Sequence, residues 1–317
     1  MNRWLMKCLL AFGVAASLAA CGGNDDAHPP PGNIVEVAQA NGFTALIAAA
    51  TKAGLAPALT DAKASLTVFA PTDAAFGSLA KQLGFSDATA MVMALPANAL
   101  ASILTYHVLP TKKTAADLIA GGATQATLYQ FGGASATLSL STTGGVTITD
   151  AALTTAKVTT ADVAASNGVI HVVDKVLVPP GVLNIVQMAQ VNPAFTTLVG
   201  AVVAANLQAT LSGAGPFTVF APTNDAFAAI QSTVAGLTTA QLTKVLTYHV
   251  LPAQVLAANI PFGTPVATVE GETITINAGT PPTITDKTTT RAPIVATNVR
   301  ASNGVIHVIR KVLIPTL

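Results

Sequence analysis

Five histidines, three tyrosines and fourteen carboxylates are the groups in this 317-residue chain able to hold a metal, move a proton or grip a partner. Two tyrosines stand directly before histidines, Tyr106-His107 and Tyr248-His249, each inside the string LTYHVLP. His171 and His307 sit in matching strings SNGVIHV, and His28 stands apart near the start. An imidazole beside a phenol could act in acid–base chemistry or as one arm of a metal site. A metal site would need helical i, i+4 spacing or a Cys or carboxylate recurring beside the histidines, and neither accompanies them. No Gly-x-Ser-x-Gly, His-Glu-x-x-His or phosphate loop occurs. Asp162 and Asp174 flank the first SNGVIHV string, but Asn298 and Arg310 replace them in the second, so a paired-carboxylate mechanism could run in one copy at most. The expectation is a protein that is not an enzyme and holds no cofactor or metal.

The elements that position these residues come in duplicate. NIVEVAQANGFTALIAAA from Asn33 returns as NIVQMAQVNPAFTTLVGA from Asn184, and TVFAPTDAAF from Thr67 returns as TVFAPTNDAF from Thr218. LTYHVLP starts at Leu104 and Leu246, and SNGVIHV at Ser166 and Ser302, all in one order. The second copy is shorter between blocks, where loops absorb the difference. Each copy is roughly 140 residues, the usual size of one domain with its own core. The reading is two domains, 33–180 and 181–317, meeting at the short segment Val178 to Leu183.

Within each copy local chemistry predicts the geometry. Thr218, Val219 and Phe220 form a strand, Pro222 stops it, and Thr223 caps a helix, a bond worth about 1 kcal/mol. Asp225 suits the helix dipole, and Phe227 returns the chain to the core. Thr72, Asp73 and Phe76 do the same in the first copy. Asn167-Gly168 and Asn303-Gly304 read as hairpin turns with positive φ at both residues. The strand that follows is apolar on both faces and therefore central, so His171 and His307 are buried and need hydrogen-bond partners. Helical patterns over 97–104 and 239–246 give way to an extended VLP. Neighbours in a strand point to opposite faces, which would turn only one member of each Tyr-His pair inward.

The TVFAPTNDAF-like block, the Tyr-His pair and the NGVIHV strand, in one order and twice, resemble the fasciclin domain over nearly everything from Asn33 to Pro315. The resemblance implies an α+β, mainly β fold: a seven-stranded β-sandwich or wedge with several packed helices, in two tandem copies. It implies extracellular and cell-surface adhesion. The family's Tyr-His region has been implicated in receptor binding, which nominates Tyr106, His107, Tyr248 and His249 as partner-binding residues. The competing reading makes each pair a packing feature that fixes the helix-to-strand crossing. Thr72, Phe76, Asn167, Gly168, His171, Thr223, Phe227, Asn303, Gly304 and His307 are read as fold-defining. TDAAF departs from the family's TNDAF by losing the amide after Thr72.

Arg3 and Lys7 precede an apolar run from Cys8 to Leu18 that is too short to span a bilayer, the pattern of a signal peptide over 1–20. Leu18-Ala19-Ala20-Cys21 resembles a bacterial lipobox, which implies a diacylglycerol on Cys21. Acyl chains bury about 0.8 kcal/mol per methylene and hold a protein on a membrane without a spanning helix. Residues 21–32 then form a lipidated Cys and Pro-rich tether, with His28 solvated in it. Gly22 rather than Asp after Cys21 implies, by resemblance to lipoproteins of diderm bacteria, secretion across the inner membrane and anchoring in the outer membrane, on its periplasmic or cell-surface face.

Fifteen basic residues against fourteen acidic ones, without runs, exclude a nucleic-acid footprint. With Cys8 removed and Cys21 acylated, thiol and disulfide chemistry are excluded too. Charged residues are only 9% of the chain, so few like charges oppose self-association. The function expected is adhesion: binding of protein or glycan partners on a cell surface, matrix or envelope. The alternatives are an envelope carrier holding a small apolar ligand between sheet and helices, and an envelope-structural protein with no discrete ligand.

Overall fold

The computed structural model describes residues 31–317, which form one compact unit. The signal peptide read over 1–20, the lipidation of Cys21 and the tether up to residue 30, with His28, lie outside the described residues.

Seven strands belong to the first repeat: β1 (Leu66–Pro71), β2 (Val108–Leu109), β3 (Thr124–Phe131), β4 (Ala134–Ser141), β5 (Thr147–Thr149), β6 (Thr155–Ala165) and β7 (Gly168–Val173). Seven more belong to the second: β8 (Phe217–Pro222), β9 (Val250–Leu251), β10 (Pro265–Ala267), β11 (Thr273–Asn277), β12 (Thr283–Thr285), β13 (Ala292–Ala301) and β14 (Gly304–Ile309). The sheets run β2-β1-β7-β6-β5-β4-β3 and β9-β8-β14-β13-β12-β11-β10, the same order in both repeats. Their ends curl back toward each other: β2 touches β3, and the Val269 N–H just past β10 donates to the Val250 carbonyl in β9. Each domain is therefore a seven-stranded, wedge-like, nearly closed sheet with helices packed on it.

The central pairs β1–β7 and β8–β14 are parallel, setting Phe69 beside His171 and Phe220 beside His307. Parallel strands are covered on both faces, which is why TVFAP and GVIHV are nearly unbroken apolar runs. The sheet bends at β6 and β13, where the register shifts twice against the next strand. Asp162 (φ 59°) and Asn298 (φ 61°) occupy the bends in the left-handed conformation that short polar side chains tolerate. Their Oδ1 atoms accept from the Ala115 and Ala257 N–H groups at 2.8 and 2.9 Å. The exchange of Asp for Asn keeps an acceptor and a backbone conformation; charge plays no part in that role.

One turn departs from the sequence expectation. Ala165 pairs with Gly168 and Ala301 with Gly304, so the two-residue turns are Ser166-Asn167 and Ser302-Asn303, and each glycine is already the first strand residue. Neither asparagine is among the residues with positive φ. Glycine is required for another reason: a Cβ at Gly168 would lie 2.3 Å from the Leu66 carbonyl oxygen, and one at Gly304 2.1 Å from that of Phe217.

Helix caps follow the motifs. Thr72 and Thr223 accept from the Ala75 and Ala226 N–H groups. Asn33 and Asn184 close capping boxes with Glu36 and Gln187. The amide missing from TDAAF is replaced in function. Asn224 accepts from Thr197 N and donates to the Pro193 carbonyl, while Asp73 accepts from Ala45 N and the Thr44 hydroxyl. Either side chain pins the same helix start.

Each sheet encloses a small core, one around Tyr106, Leu138 and Ile148 and the other around Tyr248, Ile276 and Ile284. The core on the helical side is continuous through both repeats, from Ile34 and Leu46 to Phe195, Leu246 and Val312. Asn192 Nδ2 donates across the junction to Ala152 O, and the joining segment is held from both sides, Pro180 O by the Tyr129 hydroxyl and Gly181 N by Arg300 O. The Arg300 guanidinium lies 5.3 Å from the centre of the Phe131 ring.

Candidate functional site

The two Tyr-His pairs lie in helices, not strands. The helices Ala97–Tyr106 and Thr239–Tyr248 end at them, with His107 and His249 as C-caps. Successive helical residues point about 100° apart rather than 180°, and the wedge has cores on both sides of the crossing. Tyr106, His107, Tyr248 and His249 are 0%, 1%, 0% and 2% exposed. The strand argument for one outward member fails for that reason. A partner that leaves the fold intact touches none of the four.

Each polar tip is bonded inside the domain. The Tyr106 hydroxyl donates to the Thr137 carbonyl at 2.9 Å, and that of Tyr248 to the Thr273 carbonyl at 3.0 Å. His107 Nδ1 bonds the Ile103 carbonyl at 2.7 Å, while its Nε2 accepts from Leu177 N at 2.8 Å. His249 repeats this with the Val245 carbonyl and Leu313 N. A carbonyl on one nitrogen and an N–H on the other assign a neutral ring protonated at Nδ1. Burial lowers both histidines to a pKa of about 4, so neither carries charge near neutrality. Burial also raises the Tyr106 hydroxyl above its ordinary range. With no free lone pair, these imidazoles have no place for a metal and no proton to exchange with a substrate. Each pins the segment after the SNGVIHV strand to the end of a helix.

Tyr106→Phe removes one bond and leaves the Thr137 carbonyl without its partner while the ring still fills its site. The expected loss is about 1 kcal/mol in urea unfolding with an unchanged m-value.

The remaining motif residues are also internal struts. His171 Nδ1 accepts from Asp162 N and Nε2 donates to the Lys113 carbonyl; His307 does the same with Asn298 N and the Val255 carbonyl. Asn167 Oδ1 accepts from Ile34 N, and its amide donates to the Leu59 and Asp61 carbonyls. Asn303 binds Ile185 N and the Leu211 and Gly213 carbonyls. Phe76 and Phe227 are buried in the helical-side core.

Sequence reasoning missed two kinds of buried polar residue. Thr67 and Thr218 open the TVFAP blocks; each donates its hydroxyl proton to a loop carbonyl and accepts a loop N–H. Asp150 accepts from Ala152 N, Thr154 N, the Thr154 hydroxyl and Val178 N, with burial raising its pKa to about 6. Asp286 stands in the same place of the second repeat but pairs with Lys311, and bonds from Lys311, Thr288 and Ile314 outweigh burial and hold its carboxyl below the ordinary range. The string TITD, at 147–150 and 283–286, carried the signal.

Buried struts of the same kind at matching positions define a tandem repeat of one α+β domain. A family model described as Fasciclin domain matches residues 41–179 and 193–315, and the chain belongs to that family. It is 45% identical over 140 residues to Protein sll1483 of Synechocystis sp., covering 43% of this chain and 75% of that protein. It is 36% identical over 156 residues to transforming growth factor-beta-induced protein ig-h3 of Sus scrofa, covering 48% of this chain but only 22% of the relative. The solved structure of a FAS1 domain pair from the insect cell adhesion molecule fasciclin I matches at 17% identity and a TM-score of 0.42, over 89% of this chain and 95% of that one.

Proposed function

We propose that this chain is a non-enzymatic adhesion protein of the bacterial envelope, engaging protein or glycan partners through the outer faces of its two fasciclin domains. The observation that carries this reading is that the recurring histidines and asparagines are bonded internally in both copies. Repetition preserves a scaffold, and the variable exterior is left for recognition. Large apolar side chains stand on that exterior, Met93 at 73% exposure, Ile119 at 54% and Phe262 at 44%, in a chain only 9% of whose residues are charged. Lipidation at Cys21 would hold the pair on the outer membrane, and two weak sites on one chain would add avidity. The family's occurrence in matrix and adhesion proteins agrees with this.

The test is binding of the full chain to whole cells and matrix components, with melting curves, for Met93→Glu and Ile119→Glu in one domain and Phe262→Glu in the other. Saturable binding that falls in a variant with an unchanged Tm supports the reading. Binding that is absent from the parent chain, or indifferent to all three changes, counts against it. Mass spectrometry of the membrane-extracted chain tests the anchor separately, through the mass of acyl groups on Cys21.

A further inference from the structure

Both repeats hold an apolar cavity at the same place, between their first helices and the central sheet. In the first repeat it measures about 80 Å³, with Ile34, Ala38, Leu46, Ala50, Leu104 and Val108 in its depth. The same six positions in the second repeat, Ile185, Ala189, Leu198, Val202, Leu246 and Val250, surround only about 30 Å³. One substitution among the six accounts for the direction: Val202 puts two more carbons where Ala50 leaves space. The mouth differs as well. Half-buried Val35, Leu55 and Leu59 and the exposed Leu128 rim the first cavity, giving an apolar path from solvent inward.

The chemistry of the lining selects the occupant. His107 reaches the wall, but both its nitrogens are bonded. Thr51 and Thr105, also in the wall, donate their hydroxyl protons to carbonyls of their own helices. No side-chain donor is left for a polar group. A peptide that inserted one aliphatic side chain would bring its backbone amides against Leu128, Ala56 and Ala58 with no side-chain partner, a desolvation cost that a hydrocarbon chain avoids. The volume suits the last few carbons of such a chain, with its remaining methylenes lying along the rim. One wall is the helix Ile34–Ala40, which starts directly after the segment read as a membrane tether, so this cavity belongs to the domain next to a source of acyl chains.

We propose that the first domain binds the end of an unbranched acyl chain from a free lipid or fatty acid in this cavity, and that the second domain does not. This goes beyond the adhesion reading and does not depend on it.

The test titrates the chain from Gly22 onward, which contains the whole compact unit, with methyl-labelled decanoate below its micelle concentration, followed by NMR. One saturable site per chain is expected, with contacts from the labelled methyl to Ala38 and Ala50. Ala50→Val should weaken binding at least tenfold with an unchanged Tm, and Val202→Ala should add a second site in the other domain. Should Ala50→Val fold poorly, Val202→Ala decides alone. The proposal is overturned by the absence of a saturable site, by tight binding that survives Ala50→Val, by no gain in Val202→Ala, or by N-acetyl-leucine methylamide binding as tightly as decanoate.

Discussion

Alanine at Asn303 is expected to lower the stability of the second domain by about 3 to 5 kcal/mol, the sum over one buried N–H and two carbonyls left without partners. The side chain ties its own turn to two places far away in sequence: the first helix of the repeat through Ile185, and the segment before β8 through Leu211 and Gly213. It is 8% exposed, so water is a poor substitute. Asn167→Ala is expected to do the same in the first domain, where the side chain is 1% exposed. Urea unfolding with probes in each domain measures both. A loss under 1 kcal/mol in either variant would mean that water or a shifted backbone replaces the bonds. Asn303→Asp is the informative control: it keeps the acceptor for Ile185 N and turns both donor contacts into repulsion.

Acidification should weaken the second domain far more than the first. His249 and His107 have folded pKa values of about 4, below the ordinary 6.5, so the stability they contribute is complete above pH 6.5 and lost as pH falls toward 4. Each loses roughly 3 kcal/mol over that window. Asp150 acts in the opposite sense. Its folded pKa of about 6 lies above the ordinary 3.8, so the folded state takes up a proton first and gains roughly 2 kcal/mol between pH 7 and 4. That gain offsets most of the His107 loss in the first domain. The second domain has no such compensation, because bonds from Lys311, Thr288 and Ile314 hold Asp286 below the usual carboxylate range and it titrates outside this window. Burial also lowers the pKa of His307, adding a loss of the same sign. Amide exchange at pH 7 and pH 4, corrected for intrinsic rates, should show protection in β8 and β14 falling by about two orders of magnitude, with much less change in β1 and β7. Equal losses in the two sheets would contradict the assignment of Asp150.

Features legible in the sequence were those written in neighbouring residues. Thr72 and Thr223 cap their helices because a threonine before a helical stretch supplies the acceptor its first N–H groups lack, and the nearly unbroken apolar run of GVIHV marks a strand covered on both faces. The Tyr-His pairs were misplaced because the boundary between helix and strand was set two residues too early, and a step of 180° was applied where one near 100° holds. The asparagines of SNGVIHV were read as turn formers because their partners lie far away: Ile34 is 133 residues from Asn167. The different pairing of Asp150 and Asp286 depends on where a lysine side chain reaches, which no local pattern records. The cavity is of the same kind, since Ala50 and Val202 differ by two carbons whose meaning appears only once the surrounding walls are in place.

The parallel pairing of β1 with β7, and of β8 with β14, makes each domain a ring clasped by its own ends. One edge of the strand at 66–71 pairs early with the two-residue strand at 108–109, but its other edge stays open until residues 168–173 exist, and the one at 217–222, paired with 250–251, waits in the same way for 304–309. A chain emerging from its N-terminus must therefore carry a half-open, strongly apolar strand for the time it takes about a hundred further residues to follow. Closing so long a loop is entropically slow, and an unpaired apolar edge invites wrong partners meanwhile. The last strand of each domain to be synthesised is thus its clasp, which ties correct assembly to the order in which the chain emerges.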